Sequence, residues 1–225
     1  MRQECDTQFV SHSVHPIRCA NSIGVGAHRY LPDFSTAPFA GQLYLWLRIV
    51  NLQRAEERKI VHEQGLWHIH VGVWIMNQKG ELLFQKRSPN KIINPNKWTR
   101  TGGHVDSGET PIKGIQRETE EEIGVKIPLE KFENIGIDKV QIYFEDKKIY
   151  NRHFVYNYFA MVDYKLKDYK IQTEEVSDLK YMTIEEIEEA RKNNDENYTF
   201  IKFEKDKYER IITILKQKRK EKLGL

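Results

Sequence analysis

With 225 residues, a formal net charge of +3, 39% hydrophobic and 31% charged positions, the chain has the composition of one well-cored folded domain with additions. That charge is too small to call for nucleic acid by itself. No stretch approaches the roughly 20 apolar residues of a membrane span, since the longest, LYLWLRIV at residues 43–50, is interrupted by Arg48.

The only cysteines, Cys5 and Cys19, lie near the start. This excludes a disulfide framework, a cysteine-rich zinc site and a cysteine nucleophile in the body, and points to a reducing cytoplasm. No lysine precedes Lys59, and Glu4 and Asp6 follow Arg2 without the apolar run of a secretory signal. Residues 1–58 are therefore expected to form an N-terminal appendage without chemistry of its own, ahead of a domain at residues 59–225.

In that domain, WHIHVGVWIM (67–76) alternates Ile69, Val71, Val73 and Ile75 with His68, His70, Gly72 and Trp74, the period of a strand. NQKG (77–80) turns, and ELLFQKRS (81–88) returns as a second strand of a hairpin. A loop punctuated by Pro89 and Pro95 leads to the short extended WTRT (98–101) and then to Gly102. The next segment, residues 110–123, reads as a helix: Thr110 offers a capping hydroxyl, Pro111 occupies the first turn, and Gly124 suits a left-handed end. Two aromatic-rich strands follow, FENIGIDKVQIYFED and NRHFVYNYFAMVDY, with EDKK turning between them, and VSDLKYM (176–182) is a last short strand. Thr183 caps IEEIEEARK (184–192), and a final helix carries Tyr208, Ile211, Ile212 and Leu215 at helical spacing. This order predicts a mixed α/β domain with a C-terminal helix.

Helix 110–123 carries the chemistry. At 100° per residue, Ile112, Ile115, Thr119 and Ile123 share a core face, while Glu118, Glu121 and Glu122 fall in a separate arc of about 100° and Glu120 points elsewhere. Gly114 lies on the carboxylate arc one turn earlier and leaves room above it. Hard cations such as Mg²⁺ take oxygen ligands, commonly a few carboxylates together with substrate phosphate and water. Gly102 and Gly103 let backbone approach, so a carbonyl could join the set. The competing reading is a solvated acidic face; IEEIEEARK is equally acidic but lacks the glycine turn and the arginine ahead of its acids.

The spacing of Gly103, Glu109 and RETEEEIGV (117–125) resembles the box of the Nudix family, departing only at Thr119, where an aliphatic residue is usual. The resemblance extends over about residues 66–187 and implies an α/β/α sandwich with a mixed sheet. It also implies metal-dependent hydrolysis of a small-molecule diphosphate, in a nucleoside diphosphate derivative or a relative of one. By that resemblance Glu118, Glu121 and Glu122, with the carbonyl of Gly103, would bind Mg²⁺ or Mn²⁺, and Arg117 would pair with Glu109 to hold loop against helix. The catalytic base would be Glu121, or Glu174 or Glu175 on a late loop; the sequence leaves these open.

Arg87, beside Lys86, suits phosphate binding, and Trp67, Trp74 and Trp98 are candidates to stack on a base, with core packing as the alternative for each. His68, His70 and His104 suggest zinc, and His68 and His70 share a strand face, but a third ligand of suitable type is not evident, and the histidines are expected at the surface or a pocket wall. The tail KQKRKEK suggests RNA, although cations at a helix C-terminus are also favoured by the dipole. Residues 66–104 are also similar to type I isopentenyl-diphosphate isomerases, which need a cysteine where this chain has Gly102. A non-catalytic diphosphate-binding module of the same fold would be expected to lose box glutamates, and none is lost. Membrane and nucleic-acid partners are not expected, and self-association is left open.

Overall fold

The structure, a computed structural model, describes residues 17–19, 54–56 and 58–224. The segment LYLWLRIV, and most of the expected appendage, lie outside the described residues. Two short strands, β1 (Ile17–Cys19) and β2 (Arg54–Glu56), pair in parallel. The short helix α1 (Arg58–Glu63) follows them.

The main sheet contains β3 (His68–Met76), β4 (Leu82–Arg87), β5 (Trp98–Thr99), β6 (Glu133–Phe144), β7 (Ile149–Met161) and β8 (Val176–Met182). Its order is β5-β4-β3-β7-β6, with β8 paired to β4. The sheet is mixed: β3 runs parallel to β7 in the register His68↔His153 through Met76↔Met161, and its other pairings are antiparallel. A parallel neighbour requires a crossover, and the segment between β3 and β7 contains α2 (Pro111–Ile123).

Two cores lie on opposite faces of this sheet. Ile69, Val71, Val73 and Ile75 pack with Ile115 and Ile123 of α2. Trp74, Met76, Leu82, Phe84 and Phe159 pack with Ile184 and Ile187 of α3 (Ile184–Lys192) and Ile211 and Leu215 of α4 (Lys205–Leu223). The result is an α/β/α sandwich. β3 is buried on both faces, so the alternation in its sequence marks two different cores, not core against water. Ile115 and Ile123 are wholly buried, and each stabilises the fold by about 1.5–3 kcal/mol.

The helix termini follow the expected chemistry with one correction. Thr183 accepts from Glu186 N while the Glu186 carboxylate accepts from Thr183 N, a complete capping box. Gly124 ends α2 in the left-handed region at φ 71°. Thr110 precedes Pro111 at the start of α2, but its hydroxyl makes no capping hydrogen bond. The basic tail pairs with acids: Lys216 with Glu188, Arg219 with Glu185, and Lys218 and Lys222 with Glu133. Those cations dock α4 on α3 and β6. Among the described residues no helix is long and apolar enough to cross a membrane.

Candidate active site

The segment from Thr101 to Val105 is stitched to β3: Val73 N donates to Thr101 O (3.0 Å), Val71 N to Gly103 O (2.8 Å) and Val105 N to Ile69 O (3.1 Å). Close approach explains both glycines. A Cβ on Gly102 would stand 2.2 Å from Val71 O, and one on Gly103 would stand 2.3 Å from the Glu118 carboxyl carbon. With no side chain at either position, α2 can lay its acids directly against the loop.

Glu122 is buried, at 6% exposure. Its Oε2 accepts from Gln85 Nε2 (2.8 Å) and Gly102 N (3.2 Å), and Gln85 Oε1 in turn accepts from Thr101 Oγ1 (2.9 Å). The neighbouring acids converge on Arg117. Its Nη1 donates to Glu118 (2.9 Å) and Glu121 (3.0 Å), its Nη2 to Glu109 (3.0 Å) and His104 O (2.8 Å), and its Nε to Glu109 (3.2 Å). Asp106 adds an ion pair at 3.6 Å. The expected Arg117–Glu109 pairing is present, and it extends further than loop against helix. The room left by Gly114 holds the Glu109 carboxylate, whose Oε2 would be 3.2 Å from a Cβ there.

One guanidinium among so many carboxylates leaves an excess of negative charge. Burial, then the Glu122 charge, raises Glu118 to about 8, against the opposing pull of Arg117. Burial likewise raises Glu122 to about 7, although hydrogen bonds from Gln85 and Gly102 oppose it. Burial works against the Arg117 charge too, but its bond to Glu109 and the charges of Glu118, Glu109 and Asp106 outweigh that and raise its pKa. Ionised carboxylates held this way are stabilised by a cation.

The other anticipated residues divide. Glu120 is exposed, with Lys126 3.4 Å away. Glu121 is the most exposed of the three acids on the arc. The carbonyl of Gly103 keeps one lone pair beyond its bond to Val71. Backbone bonds from Lys170 N and Gln172 N to the last carbonyls of α2 bring the late loop to the box, where Glu175 bears on Glu122 electrostatically and pairs with Lys91. Glu174 is exposed. Arg87 donates to Ile93 O (3.0 Å) and its charge favours ionised Glu122. Trp98 is half-buried under the ammonium of Lys180 (4.4 Å). Trp67 and Trp74 are buried, the latter in the second core.

The histidines require a correction. His62 of α1, His68 of β3 and His104 present ring nitrogens within 4.8 Å of one another, a set of a kind that suits a transition-metal ion. His68 Nδ1 lies 3.1 Å from Leu66 O, an acceptor, so Nδ1 carries the proton and Nε2 is the nitrogen with ligand character. Of this set the sequence singled out His68 and His104, with His70 in place of His62, which reaches them from the separate helix α1. Gln85 was missed for the same reason: it lies 37 residues from Glu122 in sequence, and nothing local marks it as its partner.

A family model described as "NUDIX domain" matches residues 66–203. The chain is 35% identical over 148 residues to the protein named Nudix hydrolase 3 of Arabidopsis thaliana, covering 64% of this chain and 19% of that protein. It is 32% identical over 82 residues to an isopentenyl-diphosphate Delta-isomerase of Serratia proteamaculans, covering 36% of this chain and 46% of that one. It therefore spans less than two thirds of the length of either relative. The fold also matches a crystallised MutT protein from Methanosarcina mazei Go1, with TM-score 0.50, 22% identity and coverage of 68% of this chain and 96% of that one.

Proposed function

The chain belongs to the Nudix family, and on that premise we propose that it is a divalent-cation-dependent hydrolase of a small-molecule diphosphate, of the nucleoside diphosphate derivative class. The observation that carries this reading is the pair of partly buried Glu118 and buried Glu122, pressed against a glycine backbone with more carboxylate than Arg117 can neutralise. Such a pair fits a hard cation, and we assign Mg²⁺ or Mn²⁺ to Glu118, Glu121, Glu122 and the carbonyl of Gly103. When bound, the cation supplies Lewis acidity towards phosphoryl oxygens and the attacking water.

The residues of the chain do the rest. Arg117 orients Glu118 and Glu121 from one guanidinium and ties them to Glu109 and the loop carbonyl of His104. Gln85 and Gly102 N fix one oxygen of Glu122 and leave the other for a ligand. The proton of the attacking water goes to a carboxylate at the box edge, Glu121 or Glu175; exposed Glu174 is the weaker candidate. Arg87, and Trp98 under Lys180, are assigned to the substrate side. Isomerisation is not proposed, because a cysteine at position 102 would drive its Cβ into the backbone of β3.

The test is a panel of diphosphates with Mg²⁺, followed by Glu122→Gln and Glu120→Gln. Glu122→Gln should lose on the order of 100-fold in rate, while Glu120→Gln stays near the parent. Equal Mn²⁺ affinity in both variants would return the box to an acidic surface.

A further inference from the structure

On the other face of the sheet from α2, Arg100 lies flat over Gly72. A Cβ there would meet the guanidinium Nε at 2.3 Å, so glycine is required for Arg100 to lie on the sheet. The guanidinium stacks near Trp74 (5.4 Å) and Phe203 (5.9 Å), and its only hydrogen bond among the described residues runs from Nη2 to Asn157 Oδ1 (2.9 Å). Its Nε is buried without a partner. No carboxylate among the described residues lies within ion-pair distance of it. A partly buried guanidinium whose buried Nε has no partner is costly unless an anion completes it.

Two further cations approach from the start of α4. Lys207 Nζ stands 4.7 Å from the Phe203 ring, on which Arg100 also bears, and Arg210 is close by. The single acid here, Asp138, is already engaged: it takes Arg210 (2.7 Å) on one oxygen and Asn157 Nδ2 (2.8 Å) and Lys207 (3.6 Å) on the other. Three cations against one carboxylate leave the cluster positive. Burial pushes Arg100 down to about 10 against the pull of Asp138, and burial, with Arg100 among the opposing charges, lowers Lys207. His153 adds no charge of its own to the cluster: burial, then His68, Lys207, His62 and Arg100, hold it well below its ordinary value.

Arg100 stands three residues before Gly103, so their Cα atoms are within roughly 11 Å. The two charge clusters nevertheless lie on opposite faces of the sheet. We propose that Arg100 and Lys207, backed by Arg210 and Asp138, form a phosphate-binding site on the face of the sheet opposite the box carboxylates. A phosphomonoester brings roughly −1.5 to −2 charge, the complement of the cluster excess, and a planar guanidinium suits its oxygens. This subsite does not rest on the hydrolase reading, since no metal is needed to bind phosphate there.

The full chain, stripped of metal with a chelator, is titrated with inorganic phosphate at fixed ionic strength and followed by calorimetry and ³¹P line width. The parent should bind saturably. Arg100→Met and Lys207→Met should each bind roughly 10- to 100-fold more weakly, as expected for loss of a charge-assisted hydrogen bond, and Glu120→Gln should match the parent. Arg100→Met should melt at or above the parent in phosphate-free buffer, because it removes an uncompensated, partly buried charge, and phosphate should raise the melting temperature of the parent only. No saturable binding by the parent, or binding by both methionine variants as tight as the parent's, overturns the subsite. Acetate competing as well as phosphate would reassign it to a carboxylate and overturn the phosphate assignment. Hydrolysis without phosphate binding refutes the subsite alone, and phosphate binding without hydrolysis of any diphosphate refutes the function alone.

Discussion

Glu122→Gln should stabilise the metal-free protein, by an amount that grows with pH. The Glu122 carboxyl is raised from an ordinary 4.5 to about 7 by burial, and each pKa unit corresponds to about 1.4 kcal/mol. A carboxyl raised on folding binds its proton more tightly in the folded state, so stability is full at low pH. It is lost as pH climbs from the unfolded value of 4.5 through the folded value of about 7. The ionised group therefore costs the metal-free fold about 3 kcal/mol at pH 8. Glutamine keeps an acceptor for Gly102 N and Gln85 Nε2 while removing the charge. It also relieves Glu118, for which the Glu122 charge is the second cause of the upward shift. Urea unfolding in chelator at pH 4.5, 6 and 8 would measure the difference between variant and parent. It should be near zero at the lowest pH and about 3 kcal/mol in favour of the variant at the highest. Millimolar Mg²⁺ should erase or invert the gap at pH 8, because only the parent recovers stability by binding. A difference that stays flat with pH, or a parent more stable than the variant at pH 8 without metal, would refute the electrostatic account of the site.

Arg117→Met should destabilise metal-free protein by about 3 kcal/mol at pH 8, since it strands partly buried acids; acidification to pH 5 should recover part of this, as urea midpoints will show. Thr119→Val should change stability by less than about 1 kcal/mol and leave activity intact, because the Oγ1 bond to Gln116 O is local to the helix; urea midpoints and rates with the best substrate measure both. No dimethylallyl diphosphate should form from isopentenyl diphosphate above a buffer blank, and Gly102→Cys should lower the melting temperature without creating that activity, given the 2.2 Å contact its Cβ would make.

The elements whose signals are local were legible in the sequence. VSDLKYM and IEEIEEARK form β8 and α3 as read, and the glycine at 124 ends α2. The arc of Glu118, Glu121 and Glu122 was legible because helical periodicity fixes which side chains share a face. Periodicity does not say what covers that face. The depth of Glu122 is decided by Gln85 and Gly102, and the space at Gly114 by the Glu109 carboxylate, all contributed by other segments. The hydroxyl of Thr110 looked like a cap on local grounds, but it makes no capping hydrogen bond. The histidine trio depends on three elements meeting and has no spacing that would betray it.

The segment from Arg100 to Gly103 has two consequences that the family box alone does not supply. Strand alternation sends Arg100 to the face of Trp74 and Thr101 to the face of Gln85. After Thr101 the side chains vanish, and carboxylates from α2 close on bare backbone. Within four residues the chain thus places an under-neutralised cation on one side of the sheet and under-neutralised anions on the other. Each charge set is costly alone, and each is relieved by its own ligand: phosphate completes the guanidinium, while diphosphate with its cation completes the carboxylates. If that is the logic of the segment, the two sites should be coupled. Phosphate bound at Arg100 would bring negative charge near the box and tighten Mn²⁺ binding to Glu118 and Glu122. By reciprocity, Mn²⁺ would tighten phosphate by the same factor.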